Sequence, residues 1–403
     1  MKPLHLLAGL AVLLLAAPGA ARAEFPDNTV KIGVLTDLSG PFSDQVGLGS
    51  VTAAKLAAED FAAESQGLKV EILSADHQNK PDVGVGIARQ WVDQQGVAAI
   101  VDLPNSGVAL AVSNLMKEKN RVTLASSSAS SDITGKACNA NTVQWTMDTW
   151  AQGNSTARAL VAAHADTWFF LTVDYALGQA LERDASAALV ADGGKVLGAI
   201  RSPLGTADFS GPLLQAQASG AKAVVLANTG ADAINSVKQA AEFGLTRGGT
   251  KIAALFMQLS DIYSIGLPIA QGLQLTTGFY WDMNADTRAW SARFAARMNG
   301  RMPTEDHAGV YAATLHYLRS VRDHQTIDGD KAVAAMKATP VSDKLFGTTE
   351  IRIDGRAIHP MYLFQVKTPG ESKAPYDLYK LVQTTPADKA FRPLADGGCP
   401  LVK

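Results

Sequence analysis

The sequence predicts an α/β protein built from two doubly wound lobes. One strand, loop and helix pattern occurs twice, from Val30 to about Asn120 and again from Trp168 to about Gly244. The strands of both copies are short apolar runs, each closed by a Gly/Ser/Asp-rich loop and followed by a helical stretch. The chain has 403 residues, 47% hydrophobic and 18% charged, which is globular and long enough for two domains of ordinary size. Two similar lobes imply a cleft between them, and a cleft is where a ligand sits.

The elements follow in order. Lys2 precedes an apolar run from Leu6 to Ala17, and Ala21-Arg22-Ala23 places small residues where a signal peptidase reads, so residues 1–23 are expected to be an export signal cut before Glu24. The run is shorter than the roughly 20 residues of a membrane span. The first cysteine is Cys138, far from the cleavage site, so a lipid anchor on an N-terminal cysteine is not expected and the protein is placed free in the periplasm. In the first copy the strands are Val30–Leu35, Lys69–Leu73 and Ala98–Leu103. Helices are expected over Leu48–Glu64, over Asp82–Gln95 behind Pro81, and over Val108–Asn120 behind Asn105-Ser106-Gly107. The second copy gives strands Trp168–Val173, Lys195–Ala199 and Ala223–Ala227. A third section adds a strand from Leu273 to Gly278 and helices over Thr287–Met298 and Asp306–Arg322.

In a doubly wound sheet the loops after the strands' C-terminal ends line one edge, so Ser39, Asn105 and the run Ser126-Ser127-Ser128 are expected to converge there. Several of these loops open helices, whose free N–H groups suit a carboxylate. The alternative for the serine run is a solvated connector, since Ser and Asp favour turns for local reasons.

Other chemistries find little support. A net charge of -2 suggests neither nucleic acid nor an anionic membrane as partner. His307 and His316 stand nine apart and miss the spacing of a zinc helix, so no metal is expected. No nucleophile elbow, dinucleotide fingerprint or phosphate loop occurs, and neither enzymatic activity nor a cofactor is expected. Cys138 and Cys399 are the two cysteines, and an oxidising compartment would join them as a disulfide rather than leave two free thiols.

Val30-Lys31-Ile32-Gly33-Val34-Leu35-Thr36-Asp37-Leu38-Ser39-Gly40-Pro41 resembles the opening of type I periplasmic solute-binding proteins of the Leu/Ile/Val-binding kind, components of ABC importers. So do Asp174-Tyr175-Ala176-Leu177-Gly178, Thr206-Ala207-Asp208-Phe209-Ser210 and Gln239-Ala240-Ala241-Glu242-Phe243-Gly244-Leu245. The resemblance implies a three-strand hinge near Trp145–Trp150, Thr276–Tyr280 and Gly355–His359. Lobe one would comprise 28–147 plus 278–356, and lobe two 148–277 plus 357–403 with the C-terminal tail. It also implies a membrane permease as partner, a small carboxylate as ligand and a monomer.

Family positions carried onto this chain put the ligand carboxylate near Asn105 and Ser106 and on Ser127, Ser128 and Ala129, with Ala129 where amino-acid binders often have Thr. Ser39, Trp150, Tyr175, Asn228 and Thr229 complete the expected contacts, Tyr175 substituting for an aromatic that the family places where Leu177 stands. On the lobe-two loop where amino-acid binders hold an acidic residue, this chain reads Met257-Gln258-Leu259-Ser260, with Asp261 the nearby carboxylate. An aromatic or other amine-free acid is therefore favoured, a preference that Gly135-Lys136-Ala137-Cys138 and the Cys-Pro tail share with aromatic-acid binders of the family. A branched-chain or related amino acid, or an amide-type solute bound by a sensor of the same fold, is the alternative.

Overall fold

The computed structural model describes residues 26–403; the expected export signal lies outside the described residues. The chain runs β1 (Thr29–Thr36), α1 (Gly47–Ala62), β2 (Lys69–Asp76), α2 (Pro81–Gln95), β3 (Val97–Asp102), α3 (Ser106–Glu118), β4 (Val122–Ala125) and β5 (Thr142–Gln144). The second unit follows as α4 (Thr149–Ala162), β6 (Thr167–Val173), α5 (Ala176–Ala191), β7 (Lys195–Ser202), α6 (Ser210–Ala218), β8 (Ala223–Ala227), α7 (Gly230–Glu242) and β9 (Lys251–Ala254). Next come α8 (Leu259–Ile265), α9 (Leu267–Ala270), β10 (Gln274–Thr277), α10 (Ala285–Arg297), α11 (Glu305–His324) and α12 (Gly329–Ala338). The chain closes with β11 (Val341–Asp343), β12 (Gly347–Ile351), β13 (Ala357–Ile358), β14 (Met361–Val366), β15 (Tyr379–Thr385) and α13 (Ala387–Ala390).

Two parallel sheets result, ordered β2-β1-β3-β4-β5 and β7-β6-β8-β9. Every residue of β3 and of β8 is buried, because helices cover both faces of each sheet. The edge strands β2 and β7 instead alternate between more and less exposed residues. In both sheets the first strand of the copy sits between the second and the third, so the strand order reverses there. The crevice at that reversal, at the carboxyl ends of the strands, is where open α/β sheets bind ligands.

The start and stop chemistry of the helices is local. Asn105 caps α3 by accepting from the N–H groups of Gly107 and Val108. Pro81 opens α2, and Gly96 ends it at a φ of 71°. The long helix α11 packs on α1, and its residues Val310, Tyr317 and Leu318 share one core with Val30, Phe61 and Trp145. The strands β10, β14 and β15 form an antiparallel sheet whose Leu275, Phe364 and Tyr379 join the core under β6 and β8.

Three segments meet at the expected hinge. Arg356, fully buried, donates to the carbonyls of Trp145 at 3.0 Å and Ala357 at 3.1 Å. Its guanidinium lies 3.9 Å from the Asp148 carboxylate and over the ring of Phe391, 4.2 Å from the centroid. Burial draws its pKa down to about 10. Glu305 links the other two segments by accepting from the Met147 N–H at 3.2 Å and the Thr277 hydroxyl at 2.6 Å. The C-terminal segment, which carries Phe391, is tied back to the loop after β4: Cys138 and Cys399 form a disulfide with Cα atoms 5.5 Å apart, and Arg392 donates to the Ser131 carbonyl at 2.9 Å.

Candidate functional site

The loops at the carboxyl edges of the two parallel sheets are pressed together into a polar seam. Gln45, on the loop after β1, donates through Nε2 to Asp261 Oδ2 at 2.6 Å and Thr229 Oγ1 at 3.1 Å on the opposite lobe. The traffic is reciprocal: Gln258, before α8, donates to Asp306 Oδ2 at 3.1 Å, and the Glu305 N–H donates to Gln258 Oε1 at 3.4 Å. The Ala231 N–H reaches the Pro41 carbonyl at 3.3 Å, and the rings of Phe42 and Tyr175 face each other 6.4 Å apart. The two lobes are shut on one another.

Local sequence explains how these groups are held. The Asp37 carboxylate accepts from the N–H groups of Ser39, Gly40 and Phe42, a turn that fixes the loop ahead of Gln45. Thr304 caps α11 and donates to the Gln45 carbonyl at 2.8 Å, so the start of that helix fastens the same loop. Asp261 accepts from the Gln258 N–H at 2.8 Å, the first-turn partner of the cap position of α8. At the end of β3 the backbone turns left-handed, with φ of 86° at Asp102 and 61° at Leu103; such conformations cost of order 1–3 kcal/mol each and concentrate at functional edges.

The residues expected from sequence fall into three sets. Thr229 and Asp261 lie in the seam, while Asn228, Tyr175, Ser127, Ser128 and Ala129 stand on the loops that form it. Ser127 donates its hydroxyl proton to Asp102 Oδ1 and Ser128 donates its own to the Leu103 carbonyl. A hydroxyl has one proton, so neither side chain has a donor left for a ligand in this conformation. Among the described residues, the backbone N–H groups of Ser128 and Ala129 donate to no protein acceptor. Asn105 and Ser106 form the second set, one capping α3 and the other accepting the Ser130 N–H at 3.3 Å. The third set stands apart: Ser39 is exposed and donates to Asp76 at 2.6 Å, and Trp150 lines a separate hollow with Arg158, Thr276 and Met361.

Four seam and hinge groups escaped the sequence reading: Gln45, Asp102, Glu305 and Asp306. Burial raises the carboxyls of Asp102, Asp261 and Glu305 to about 7 each, against hydrogen bonds that lower them. Burial raises Asp306 well above the usual range, reinforced by the charges of Glu305, Asp102 and Asp261. The hydroxyls of Thr36 and Ser50 stand beside Asp102 and lower its pKa by turning their protons toward it. Beside the seam lies a hollow of about 500 Å³ lined by Val46, Tyr263, Phe294, Met298, Arg301 and Tyr376, and none of the expected contact residues lines it.

Comparison with known proteins agrees with this geometry. Residues 29–373 match a family model described as periplasmic binding protein. The chain is similar to a crystal structure of a periplasmic binding protein from Burkholderia mallei, with 40% identity, a TM-score of 0.91 and 94% of this chain covering 100% of that one. A branched-chain amino acid ABC transporter periplasmic ligand-binding protein from Burkholderia xenovorans LB400 is similar at 39% identity and a TM-score of 0.82, over 93% of this chain and 100% of that one. A curated relative, Leu/Ile/Val-binding protein homolog 6 of Brucella melitensis biotype 1, is 30% identical over 296 residues, 71% of this chain and 72% of the relative.

Proposed function

The chain belongs to the periplasmic binding protein family of ABC transporters, and from that premise we propose that its interlobe seam takes a small carboxylate-bearing solute and delivers it, without turnover, to a membrane permease. The observation that carries this reading is the pair of unpaired N–H groups at Ser128 and Ala129, on a buried loop beside a seam where two lobes close by hydrogen bonds across it. Free backbone donors suit a carboxylate, and closure about a hinge traps it. On this reading 28–147 and 278–356 rotate against 148–277 and the following strands. Among the described residues no helix is long and apolar enough to cross a membrane, and the reading takes the protein as a monomer exported to the periplasm. N-terminal sequencing of protein recovered from the periplasm should begin at Glu24.

Sequence favours an amine-free acid on two grounds, Asp261 as the only carboxylate near the lobe-two loop and the likeness of Gly135–Cys138 and the Cys-Pro tail to aromatic-acid binders. The seam adds Asp306 from the opposite lobe, which weakens the first ground and favours the amino-acid alternative. The names of two relatives, a branched-chain amino acid binder and a Leu/Ile/Val-binding homolog, support the same direction.

Thermal melts against a panel of aromatic acids, keto acids and amino acids test the reading. One class should stabilise the protein by about 2.7 kcal/mol at a hundredfold excess over Kd. No shift with any carboxylate would overturn it.

A further inference from the structure

The hollow that holds Trp150 lies apart from the seam, between α4 and the sheet of β10, β14 and β15. The register of that sheet lines up Thr276, Leu363 and Gln383 as one row and Met361 and Thr385 as another on the same face, since residues two apart along a strand point the same way. Trp150, Asn154, Arg158 and Ala162 recur at every fourth residue of α4 and form one stripe, which borders the hollow from the other side. Two hydrogen bonds hold this helix to the sheet: Gln152 Nε2 donates to the Thr276 carbonyl and the Thr276 hydroxyl donates to Ser155 Oγ, each at 2.8 Å. Packing stops short of closure. A volume of about 310 Å³ remains, bordered at α13 by Lys389 and Ala390.

The lining divides by chemistry. Met361 and Leu363, both buried, and the half-buried indole of Trp150 supply apolar surface. Arg158 and Lys389 are exposed at its border, and neither side chain makes an ion pair or hydrogen bond with a described residue. No acidic side chain lines the hollow. A lone surface cation is ordinary because water solvates it, but two cations around an apolar floor without a counter-charge give the whole hollow a positive field. An apolar lining with a few convergent polar groups is the make-up of small-molecule sites, and the volume lies at the lower end of their range. A bare inorganic anion would leave the apolar floor uncovered, and a neutral ring would leave both cations unused.

We propose that this hollow is a second ligand site, which takes a small organic anion with a flat apolar body. The ring lies against Trp150, Met361 and Leu363, and the anionic group meets Arg158 and Lys389. A flat body suits the indole face, and a charged group that accepts hydrogen bonds suits a guanidinium and an ammonium. The proposal goes beyond the small-carboxylate reading and does not depend on it, because none of the groups that cross the seam lines the hollow. Trp150, which sequence offered as a contact for the cleft ligand, serves this second site instead.

Calorimetric titration of the mature protein with naphthalene-2-sulfonate, 2-naphthol and sulfate tests this. The sulfonate should bind at least about tenfold tighter than the neutral naphthol and than sulfate, as a hydrogen bond to a charged group implies. Arg158→Gln and Lys389→Gln, both at exposed positions where the fold is not at stake, should each weaken the sulfonate about three- to tenfold. The loss is smaller than at a buried pair because the rim is open to water and salt. Neither variant should change the affinity of 2-naphthol, whereas Trp150→Leu should weaken both naphthalenes. Equal affinity for the sulfonate and the naphthol overturns the proposal, and so does sulfate that binds as tightly as the sulfonate. A sulfonate affinity untouched by both charge variants puts the probe elsewhere and overturns it too, as does no binding of the sulfonate. Because the probe is no carboxylate and the variants lie outside the seam, each of these failures leaves the small-carboxylate reading standing.

Discussion

Glu305 and Asp306 are consecutive residues in the first turn of one helix, both buried carboxylates, and they serve opposite regions of the molecule. Glu305 faces the hinge, where it accepts from the Met147 N–H and the Thr277 hydroxyl and feels the positive charge of Arg356. Asp306 faces the seam, where one amide meets it and every neighbouring charge repels it. The hinge is wired by the protein's own donors. The seam is short of them: Asp306 Oδ1 accepts from no described residue.

If that contrast is right, substitutions at the hinge should injure the fold and substitutions at the seam should injure binding. The largest effect is expected at Arg356→Ala, which strips the buried Asp148 of its cation and Phe391 of its stacking partner. A loss of about 3–5 kcal/mol should appear in urea melts. Next comes Cys399→Ser. The disulfide spans 261 residues and holds the tail that lays Phe391 over the hinge, so its removal should cost about 2–4 kcal/mol in the same melts run without reductant. The paired test is smaller and sharper. Glu305→Gln should lower stability by about 1–3 kcal/mol through the hydrogen bonds it weakens, whereas Asp306→Asn should leave the melt unchanged or raise it. Equal losses would erase the distinction between the two regions.

The smallest effect is one of pH. Asp261 titrates near 7 in the fold, raised by burial from an ordinary 3.8, so between about pH 4 and 7 the folded protein keeps a proton that the unfolded chain releases. Its contribution therefore falls as pH rises through that window and is level above it. The stability of wild type relative to Asp261→Asn should drop by on the order of 1 kcal/mol from pH 6 to pH 8. His77, His307 and His359, which burial draws down to about 4, act with the opposite slope below about 6.5, but they are common to both proteins and cancel in the difference.

Much of this fold was legible because its signals are local. The apolar runs of β1, β3, β6 and β8, the Asn105 cap and the Pro81 start all declare themselves within a few residues. The Cys138–Cys399 bridge was legible from a count of two. The seam was harder, because its chemistry is made by pairs such as Gln45 and Asp261, 216 positions apart. Asp306 was passed over for a specific reason: an acidic residue in the first turn behind a Thr cap reads as ordinary helix-dipole chemistry. The serine run shows the same limit from the other side. Ser127 and Ser128 looked like donors for a ligand, but their hydroxyl protons are spent on Asp102 and on the Leu103 carbonyl, which only the left-handed turn at the end of β3 brings within reach.

The central claim is that a small carboxylate is held by closure of the seam, and a wedge placed in the seam tests it most directly. Gly230 has a φ of 59°, and a Cβ there would stand 2.5 Å from the Pro41 carbonyl oxygen of the opposite lobe. Gly193 has a φ of 85° and open space around its Cβ position, so Gly193→Ala imposes comparable backbone strain without a wedge. The measurement is a calorimetric titration of the acid that gives the largest melt shift into wild type, Gly230→Ala and Gly193→Ala. Affinity should fall at least about tenfold in Gly230→Ala alone, the equivalent of about 1.4 kcal/mol of lost closure. Wild-type affinity in Gly230→Ala would contradict the account.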